Sequence, residues 1–104
     1  MNNPLEKEIE RKLVALVKRY GGRCDKVINR SMAGFPDRLL MFPGGLTIYL
    51  ETKRPKGGRY SPLQNKWRDW LVAMGHHYYR IKDTEQLAAF ELVMADEISR
   101  RKGE

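Results

Sequence analysis

The chain has 104 residues with 20 Lys and Arg against 13 Asp and Glu, so its formal net charge is +7. This length is typical of a single domain, here residues 1–104, and no break in composition divides it. No apolar run approaches the ~18 residues of a membrane span and no secretory signal begins the chain, so we expect a soluble, cytoplasmic protein. The positive charge favours a polyanionic partner, and we expect nucleic acid rather than a membrane because no basic amphipathic helix stands out.

Cys24 is the single cysteine, which excludes an intrachain disulfide. A nucleophilic pair with His76 or His77 is conceivable, and so is a metal site, but no CxxC or HxxxH spacing supports either. We therefore interpret Cys24 as a small residue in a strand.

Apolar residues at helical spacing predict a first helix over residues 4–20, which the glycine pair at 21–22 ends. The stripe consists of Leu5, Ile9, Leu13, Leu16, Val17 and Tyr20. Asn3 can cap this helix, with Glu6 three residues later as the second half of a capping box.

Three short strands are predicted next. Residues 23–30 form the first, and a loop over 31–36 leads into two more, 37–42 and 46–53, which the three residues 43–45 join. This Pro-Gly-Gly connection is short enough to make the second and third strands a hairpin.

A second helix opens at Ser61-Pro62 and stops near Gly75, and residues 76–81 form a fourth strand. Asp83 caps a last helix. The apolar residues of the two helices are Leu63, Trp67, Trp70, Leu71 and Met74 in the second, and Leu87, Phe90, Met94 and Ile98 in the last. The predicted order of elements is therefore αβββαβα.

The apolar pattern of the hairpin selects its register. A two-residue turn would set Phe42 and Leu40 against Thr47 and Tyr49. A three-residue loop instead pairs position 42 with 46, 40 with 48 and 38 with 50. This second choice gathers one buried apolar face, and a slip by one residue would expose it. Its members are Leu40, Phe42, Leu46, Ile48 and Leu50.

The same register sets Asp37 directly across from Glu51, with Cβ atoms roughly 4.5–5.5 Å apart, and Lys53 follows on the same side of the strand. Two facing carboxylates repel each other unless a cation lies between them. Mg²⁺ takes one or two carboxylates and fills its other positions with water and phosphate oxygens. Lys53 could then hold the attacking water, or it could simply neutralise two acids at a solvated strand end. The hairpin pattern alone leaves both interpretations open.

These residues resemble the signature of the PD-(D/E)xK nuclease superfamily, in Pro36-Asp37 followed by Glu51-Thr52-Lys53. The segments GFPDR, PGG, ETKRPKG and SPLQ, in this order and spacing, resemble the VRR-NUC (virus-type replication-repair nuclease) family over about residues 5 to 90. The resemblance implies an α/β, restriction-endonuclease-like core with a mixed central sheet flanked by helices.

The resemblance also implies metal-dependent hydrolysis of phosphodiester bonds in DNA. Asp37, Glu51 and the backbone carbonyl of Thr52 would bind Mg²⁺, for which Mn²⁺ could substitute, and Lys53 would orient the water. Stand-alone members resemble homodimeric resolvases of branched DNA such as Holliday junctions, and a dimer would supply one site for each of two strands.

Two further site residues are expected from the family pattern. The superfamily carries a glutamate on its first helix, and we assign this catalytic and metal-binding role to Glu10, with Glu6 one turn earlier as the rival. Gln64 would lie beside Lys53 and help to position water or phosphate. Ser61 and Gln64 also form a capping box of the Ser-x-x-Gln type, which needs no catalytic role.

A basic loop follows the motif directly and carries Arg54, Lys56 and Arg59. Such side chains can contact phosphates that flank the cleaved bond, although a solvated loop would have the same composition. Lys26 and Arg30 are expected to add to the same groove. The aromatic residues Trp67, Trp70 and Tyr78 have a spacing that favours the core or a dimer surface over base stacking.

Three alternatives remain at this point. The chain could be a non-catalytic DNA-binding domain with a nuclease fold, although Asp37, Glu51 and Lys53 are all present. It could be a sequence-tolerant nuclease that acts on flaps or duplex. A basic scaffold without nucleic acid would leave the facing acids unexplained.

Overall fold

The described part of the chain folds into three helices and four strands, in the predicted order αβββαβα. A computed structural model describes residues 4–28, 31–54 and 56–102. The elements are α1 (Pro4–Arg19), β1 (Arg23–Lys26), β2 (Arg38–Phe42), β3 (Leu46–Thr52), α2 (Pro62–Ala73), β4 (His77–Ile81) and α3 (Thr84–Arg101).

The strands form one mixed sheet in the order β1-β2-β3-β4. The pairs β1–β2 and β2–β3 are antiparallel, whereas β3 and β4 are parallel. A parallel pair needs a crossover connection, and the segment that contains α2 supplies it. This confirms the α/β class with a mixed sheet and flanking helices.

The β2–β3 hairpin has the register that its apolar pattern predicts. Phe42 pairs with Leu46 and Leu40 pairs with Ile48, so a three-residue loop separates the strands. Gly44 and Gly45 have φ angles of +89° and +80°, a left-handed backbone that glycine adopts without steric cost. The loop chemistry and the apolar face therefore agree on one register.

The main core lies between the sheet and the two helices α1 and α3. Buried residues of α1 pack with the whole predicted apolar face of α3 and with the hairpin. They are Ile9, Leu13, Leu16 and Val17 from α1, Leu87, Phe90, Met94 and Ile98 from α3, and Leu40, Phe42, Leu46, Ile48, Leu50 and Ile81 from the sheet. Asp83 caps α3 by accepting a hydrogen bond from the amide of Gln86, as predicted.

The other face of the sheet packs against α2 through aromatic side chains. The ring of Phe35 meets those of Tyr49 and Trp67 edge to face, with centroids 6.0 and 5.0 Å apart. Leu71 is the buried apolar residue of α2, whereas Trp70 is 50% exposed. Of the two positions favoured for Trp70, the core is therefore wrong, because α2 covers the sheet with one narrow stripe, and the dimer surface stays a prediction.

Several predicted boundaries differ from the structure. β1 ends at Lys26 rather than at residue 30. One backbone hydrogen bond follows the β1–β2 pairing beyond the end of the strand, from the Val27 amide to the Asp37 carbonyl at 2.8 Å. Leu5 of the α1 stripe is exposed. Asn3, the predicted cap of α1, lies outside the described residues. Over residues 4–28, 31–54 and 56–102, no helix has the length and apolar content that a membrane crossing requires.

Candidate active site

Asp37 lies immediately before β2 and is held by Thr52, the last residue of β3. The Thr52 amide is 3.3 Å from Oδ1 of Asp37, and the Thr52 hydroxyl is 3.2 Å from Oδ2. The hairpin register that pairs Arg38 with Leu50 places Asp37 opposite Glu51 when it is extended by one position. The motif residues therefore meet at one end of the hairpin.

Glu51 is only 1% exposed, and its two carboxylate oxygens have different surroundings. The hydroxyl of Tyr78 donates a hydrogen bond of 2.7 Å to Oε2, and Nε of Arg80 lies 3.9 Å from the same oxygen. Oε1 is buried and has no hydrogen-bond partner within the described part of the chain. A buried carboxylate oxygen without a partner is costly unless a donor or a cation reaches it.

Glu10 on α1 approaches the same end of β3, on the face of the sheet opposite to Glu51. Its Oε1 lies 3.2 Å from the Thr52 hydroxyl, and its Oε2 lies 3.6 Å from Nη2 of Arg38. A hydroxyl has one proton, so Thr52 cannot donate to Glu10 and Asp37 at the same time. One of these two carboxylate oxygens is therefore left without the Thr52 proton.

Burial raises the pKa of Asp37, and the negative charge of Glu10 raises it further, against the hydrogen bonds from Thr52. Burial also raises the pKa of Glu51, with Asp37 adding to the effect and the Tyr78 hydrogen bond opposing it. In both groups burial outweighs the neighbouring positive charges, so a bound cation would further favour the charged carboxylates.

The peptide between Thr52 and Lys53 is oriented toward these carboxylates. The Lys53 amide donates to the Ile81 carbonyl on β4 at 3.1 Å. In a trans peptide the carbonyl points opposite to the amide, so the Thr52 carbonyl faces away from β4 and toward the β2 side, where Asp37 lies. This is the direction that the predicted ligand role of this carbonyl requires.

The donor set fits a hard divalent cation with few protein ligands. Among residues 4–28, 31–54 and 56–102, no three His, Cys, Asp or Glu side chains cluster as a metal site. Alternation along β3 explains this, because Glu51 and Thr52 point to opposite faces and Glu10 meets the Thr52 face. Mg²⁺ is bound through one or two carboxylates, so Asp37 and Glu51 are sufficient in number.

This chain is similar to known nuclease-related proteins in sequence and in structure, while a scan against family models matches none. "Putative nuclease p44" of Acyrthosiphon pisum secondary endosymbiont phage 1 is 34% identical over 84 residues, which covers 81% of this chain and 88% of that protein. A solved structure titled "VRR_NUC domain" has a TM-score of 0.77 at 18% identity and covers 84% of this chain and 94% of its own. Another, "VRR_NUC domain protein", has a TM-score of 0.64 at 17% identity and covers 86% and 87%. This chain belongs to the VRR-NUC family. The family match supports a nuclease.

Lys53 of this VRR-NUC domain is half-buried just beyond β3, with Nζ 5.8 Å from the ring centroid of Tyr60. The strand end is not solvated, because Glu51 is 1% and Thr52 2% exposed. The solvated strand end in the counterion interpretation is therefore wrong, although Lys53 does lower the pKa of Glu51 as a counterion would. Arg80 lowers the pKa of Glu51 more than Lys53 does, so Arg80 is the stronger positive neighbour of this carboxylate.

Gln64 of the VRR-NUC domain makes the predicted capping box at the start of α2. The side-chain Oε1 of Gln64 accepts a hydrogen bond from the backbone amide of Ser61 at 2.7 Å. The backbone amide of Gln64 donates to the Ser61 hydroxyl at 3.1 Å. Gly34 fits against this turn, since a Cβ there would lie 2.6 Å from the Leu63 carbonyl carbon and 2.9 Å from the Gln64 nitrogen. The loop before Asp37 is thus seated on the helix that carries Gln64.

The predicted DNA-contacting residues lie on exposed surfaces of the domain. Arg54, Lys56 and Arg59 are exposed in the loop after β3. Lys26 lines an open groove of about 720 Å³, together with Lys7, Glu8, Glu10, Arg11, Val14 and Arg38. Arg30 lies outside the described residues.

Three residues at the site were missed by sequence reasoning: Arg38, Tyr78 and Arg80. Tyr78 was assigned to the core or a dimer surface, but its hydroxyl bonds to Glu51. Parallel pairing sets Arg80 beside Glu51, so alternation places Tyr78 and Arg80 on the Glu51 face of β4. This alternation was visible in the sequence, whereas the pairing of β3 with β4 was not.

Proposed function

We propose that this VRR-NUC chain is a Mg²⁺-dependent endonuclease that hydrolyses phosphodiester bonds in DNA. The observation that carries the proposal is the buried Oε1 of Glu51, which has no hydrogen-bond partner among the described residues. Glu51 lies opposite Asp37 across the hairpin and two residues before Lys53. The name of the phage relative, a nuclease, and the fold of the two VRR_NUC neighbours support the same conclusion.

Asp37, Glu51 and the Thr52 carbonyl would hold the Mg²⁺, with Mn²⁺ as a substitute and Glu10 as an outer contributor through Thr52. When bound, the ion would lower the pKa of water and offset the negative charge that develops on the phosphate. The raised pKa values of Asp37 and Glu51 support this assignment because burial disfavours their charged forms more than the neighbouring positive side chains favour them.

Lys53 would orient the nucleophile and the phosphate. Its ammonium has three donors and sits on a flexible stem beside the carboxylates, so it can contact both a water molecule and a phosphoryl oxygen. Gln64 would assist through the amide nitrogen that the capping box leaves free of the Ser61 contact.

The basic surfaces would hold the DNA backbone. The exposed residues Arg54, Lys56 and Arg59 follow Lys53 directly, and the groove that Lys26 lines also contains Glu10 and Arg38 of the site. Contacts to phosphates position DNA without reading its sequence, so we propose that this nuclease selects branched DNA, such as a Holliday junction, by shape.

A homodimer would suit such a substrate because its two-fold symmetry offers two sites for two strands. The exposed apolar stripe of α2, with Leu63, Trp70 and Met74 at 48%, 50% and 64% exposure, supports a second copy as its cover. Light scattering on the purified protein tests this point. If wild type has the mass of a monomer at every concentration, and Trp70→Lys has the same mass, the proposed homodimer is contradicted.

Cleavage assays on labelled Holliday junction, flap and linear duplex test the nuclease itself. Wild type is expected to cut with Mg²⁺ or Mn²⁺ and not with EDTA. Lys53→Ala should bind DNA but cut at least about 100-fold more slowly, as when a transition-state charge partner is removed. Lys102→Ala is the matched control. Lys102 is exposed beside Arg101, which reaches the Gly44 carbonyl at the far end of the hairpin.

The pattern of outcomes distinguishes the parts of the proposal. Equal cutting of all three substrates would retain the nuclease and reject selectivity for branches. Tight binding without cutting by wild type, in any metal, would make the chain a DNA-binding module on a nuclease fold. Cutting in EDTA would reject the metal.

A further inference from the structure

Arg80 occupies a fixed position behind Glu51, with a partner on each side of its guanidinium group. Its Nε lies 2.8 Å from the Tyr78 hydroxyl, and its Nη2 donates to Oδ1 of Asn65 on α2 at 2.7 Å. Its Cζ lies 3.8 Å from the centroid of the Tyr60 ring, so the ring and the guanidinium group stack. These three contacts hold the planar group in one orientation.

This arrangement determines which way the Tyr78 hydroxyl points its proton. A guanidinium group donates hydrogen bonds and cannot accept one, so the Tyr78 oxygen must be the acceptor from Arg80. The one proton of Tyr78 is therefore directed to Oε2 of Glu51, 2.7 Å away. The two hydrogen bonds therefore run in one direction, from Arg80 to Tyr78 and from Tyr78 to Glu51.

Because Oε2 is held in this way, the carboxylate of Glu51 cannot rotate freely. Its other oxygen, Oε1, is left without a partner within the described part of the chain. Arg80 itself lies 3.9 Å from Oε2, so Tyr78 provides the closer contact and Arg80 acts mainly through it. The orientation of Glu51 is thus set by β4, while Asp37 is set by Thr52.

We propose that Tyr78 and Arg80 are positioning residues that hold Glu51 so that Oε1 is presented to the metal ion. The inference rests on the proposed function, since it assumes that Glu51 binds a divalent cation. It adds two residues outside the Asp-Glu-Lys motif, and both act without touching the metal or the DNA. Partners of this kind typically contribute 10–100-fold to metal affinity.

Titration of DNA-free protein with Mn²⁺, with the free ion followed by electron paramagnetic resonance, tests this directly. Tyr78→Phe should weaken Mn²⁺ binding about 10–100-fold because it removes the hydroxyl that orients Glu51. Tyr79→Phe is the control. Tyr79 is the next residue of β4 and packs against Phe90 on the other face of the sheet, with ring centroids 5.1 Å apart. The Tyr79→Phe variant should bind Mn²⁺ with the same affinity as wild type.

Arg80→Met provides a second variant, since it keeps an apolar stem beneath Tyr60 and removes every donor. It should also weaken Mn²⁺ binding, and it should add little to Tyr78→Phe because both changes act through the same hydroxyl. Tighter binding by Arg80→Met would show that Arg80 opposes the ion as a like charge, and its positioning role would be overturned.

Thermal melting of the same proteins separates positioning from folding. If Tyr78→Phe lowers the melting temperature but binds Mn²⁺ with unchanged affinity, Tyr78 is structural only and the inference is wrong. If wild type itself binds no Mn²⁺, the metal dependence in the proposed function fails instead. Wild-type binding with equal binding by Tyr78→Phe rejects this inference alone.

Discussion

Thr52 holds Asp37 through two groups, its amide at 3.3 Å from Oδ1 and its hydroxyl at 3.2 Å from Oδ2. The same hydroxyl lies 3.2 Å from Oε1 of Glu10 and can donate to only one of the two carboxylates. In the metal-free protein, either Oδ2 of Asp37 or Oε1 of Glu10 therefore goes without the proton of the Thr52 hydroxyl. Under the proposed function, this arrangement would give up stability of the metal-free protein for cation binding, a trade that functional sites often show.

Asp37→Asn should therefore stabilise the metal-free protein while it removes cleavage. The new amide can donate to the Thr52 oxygen, which frees the Thr52 proton for Glu10, and its Oδ1 still accepts from the Thr52 amide. Satisfying one buried polar group is worth about 1–3 kcal/mol in the free energy of unfolding. Each kcal/mol corresponds to roughly 4–8 °C in the melting temperature of a domain of this size.

The measurement for Asp37→Asn is thermal unfolding in EDTA at neutral pH. Asp69→Asn is its control, since Asp69 is exposed on α2 and pairs with the neighbouring Arg68. That change should stay within about 0.5 kcal/mol of wild type. A lower melting temperature for Asp37→Asn than for Asp69→Asn would contradict the expected donor shortage.

The stability of metal-free protein should fall as pH rises through the titration of Asp37 and Glu51. Burial raises the pKa of both carboxyls in the folded state, from ordinary values of 3.8 and 4.5. The native state then binds more protons than the unfolded state over that interval, so the free energy of unfolding decreases with pH there. The double variant Asp37→Asn, Glu51→Gln should lose this component.

Melting curves of the double variant and wild type between about pH 4 and 8 in EDTA check the sign. The advantage of the variant should be smallest at the acid end and should grow toward neutral pH. Other carboxyls titrate in both proteins and cancel in the difference. An advantage that shrinks as pH rises would show that the folded state lowers these pKa values.

Gly34→Ala should destabilise the domain more than the same change at Gly45. Both glycines have a left-handed φ, +85° and +80°, which costs alanine roughly 1–2 kcal/mol. Only at Gly34 would the new Cβ collide with backbone, 2.6 Å from the Leu63 carbonyl carbon, whereas nothing lies within 4 Å at Gly45. The difference between the two variants isolates the contact between the Asp37 loop and α2.

Denaturant unfolding of Gly34→Ala and Gly45→Ala gives this difference, and cleavage assays give its consequence. Gly34→Ala should also reduce the cleavage rate, because the displaced loop carries Asp37. Equal losses in the free energy of unfolding would mean that the Asp37 loop moves away from α2 at no cost. The contact between this loop and α2 would then not stabilise the domain.

Ser61→Ala and Gln64→Ala separate the capping role of Gln64 from its proposed site role. Each variant breaks the capping box and should lower stability by about 1 kcal/mol. Single-turnover cleavage well below the melting temperature should fall further in Gln64→Ala, because only that change removes the amide nitrogen proposed to assist Lys53. Identical rates in the two variants would leave Gln64 with the capping role alone.

Removing basic residues one at a time should flatten the salt dependence of DNA binding. Lys56→Ala in the loop and Lys26→Ala in the groove should each reduce the slope of log K against log salt by about 0.9 if one phosphate contact is lost. Lys102→Ala should leave the slope unchanged. A slope that stays constant in both test variants, measured by fluorescence anisotropy, would exclude these surfaces from the DNA path.

The sequence by itself determined the order of elements, the core and the hairpin register. Periodic apolar residues define the buried faces of α1 and α3, since each face is a local property of one helix. The register follows from one strand pair and its loop, because a single slip would expose Leu40 and Ile48. The placement of Asp37 opposite Glu51 follows from the same local geometry.

The tertiary structure alone decided what surrounds those two acids. Tyr78 and Arg80 reach Glu51 only because β4 pairs parallel with β3 across a helical crossover, a contact between residues 27 and more positions apart. Glu10 meets Thr52 because α1 packs on the other face of the sheet. Periodicity describes one element at a time, whereas these contacts depend on which faces of different elements are brought together by packing.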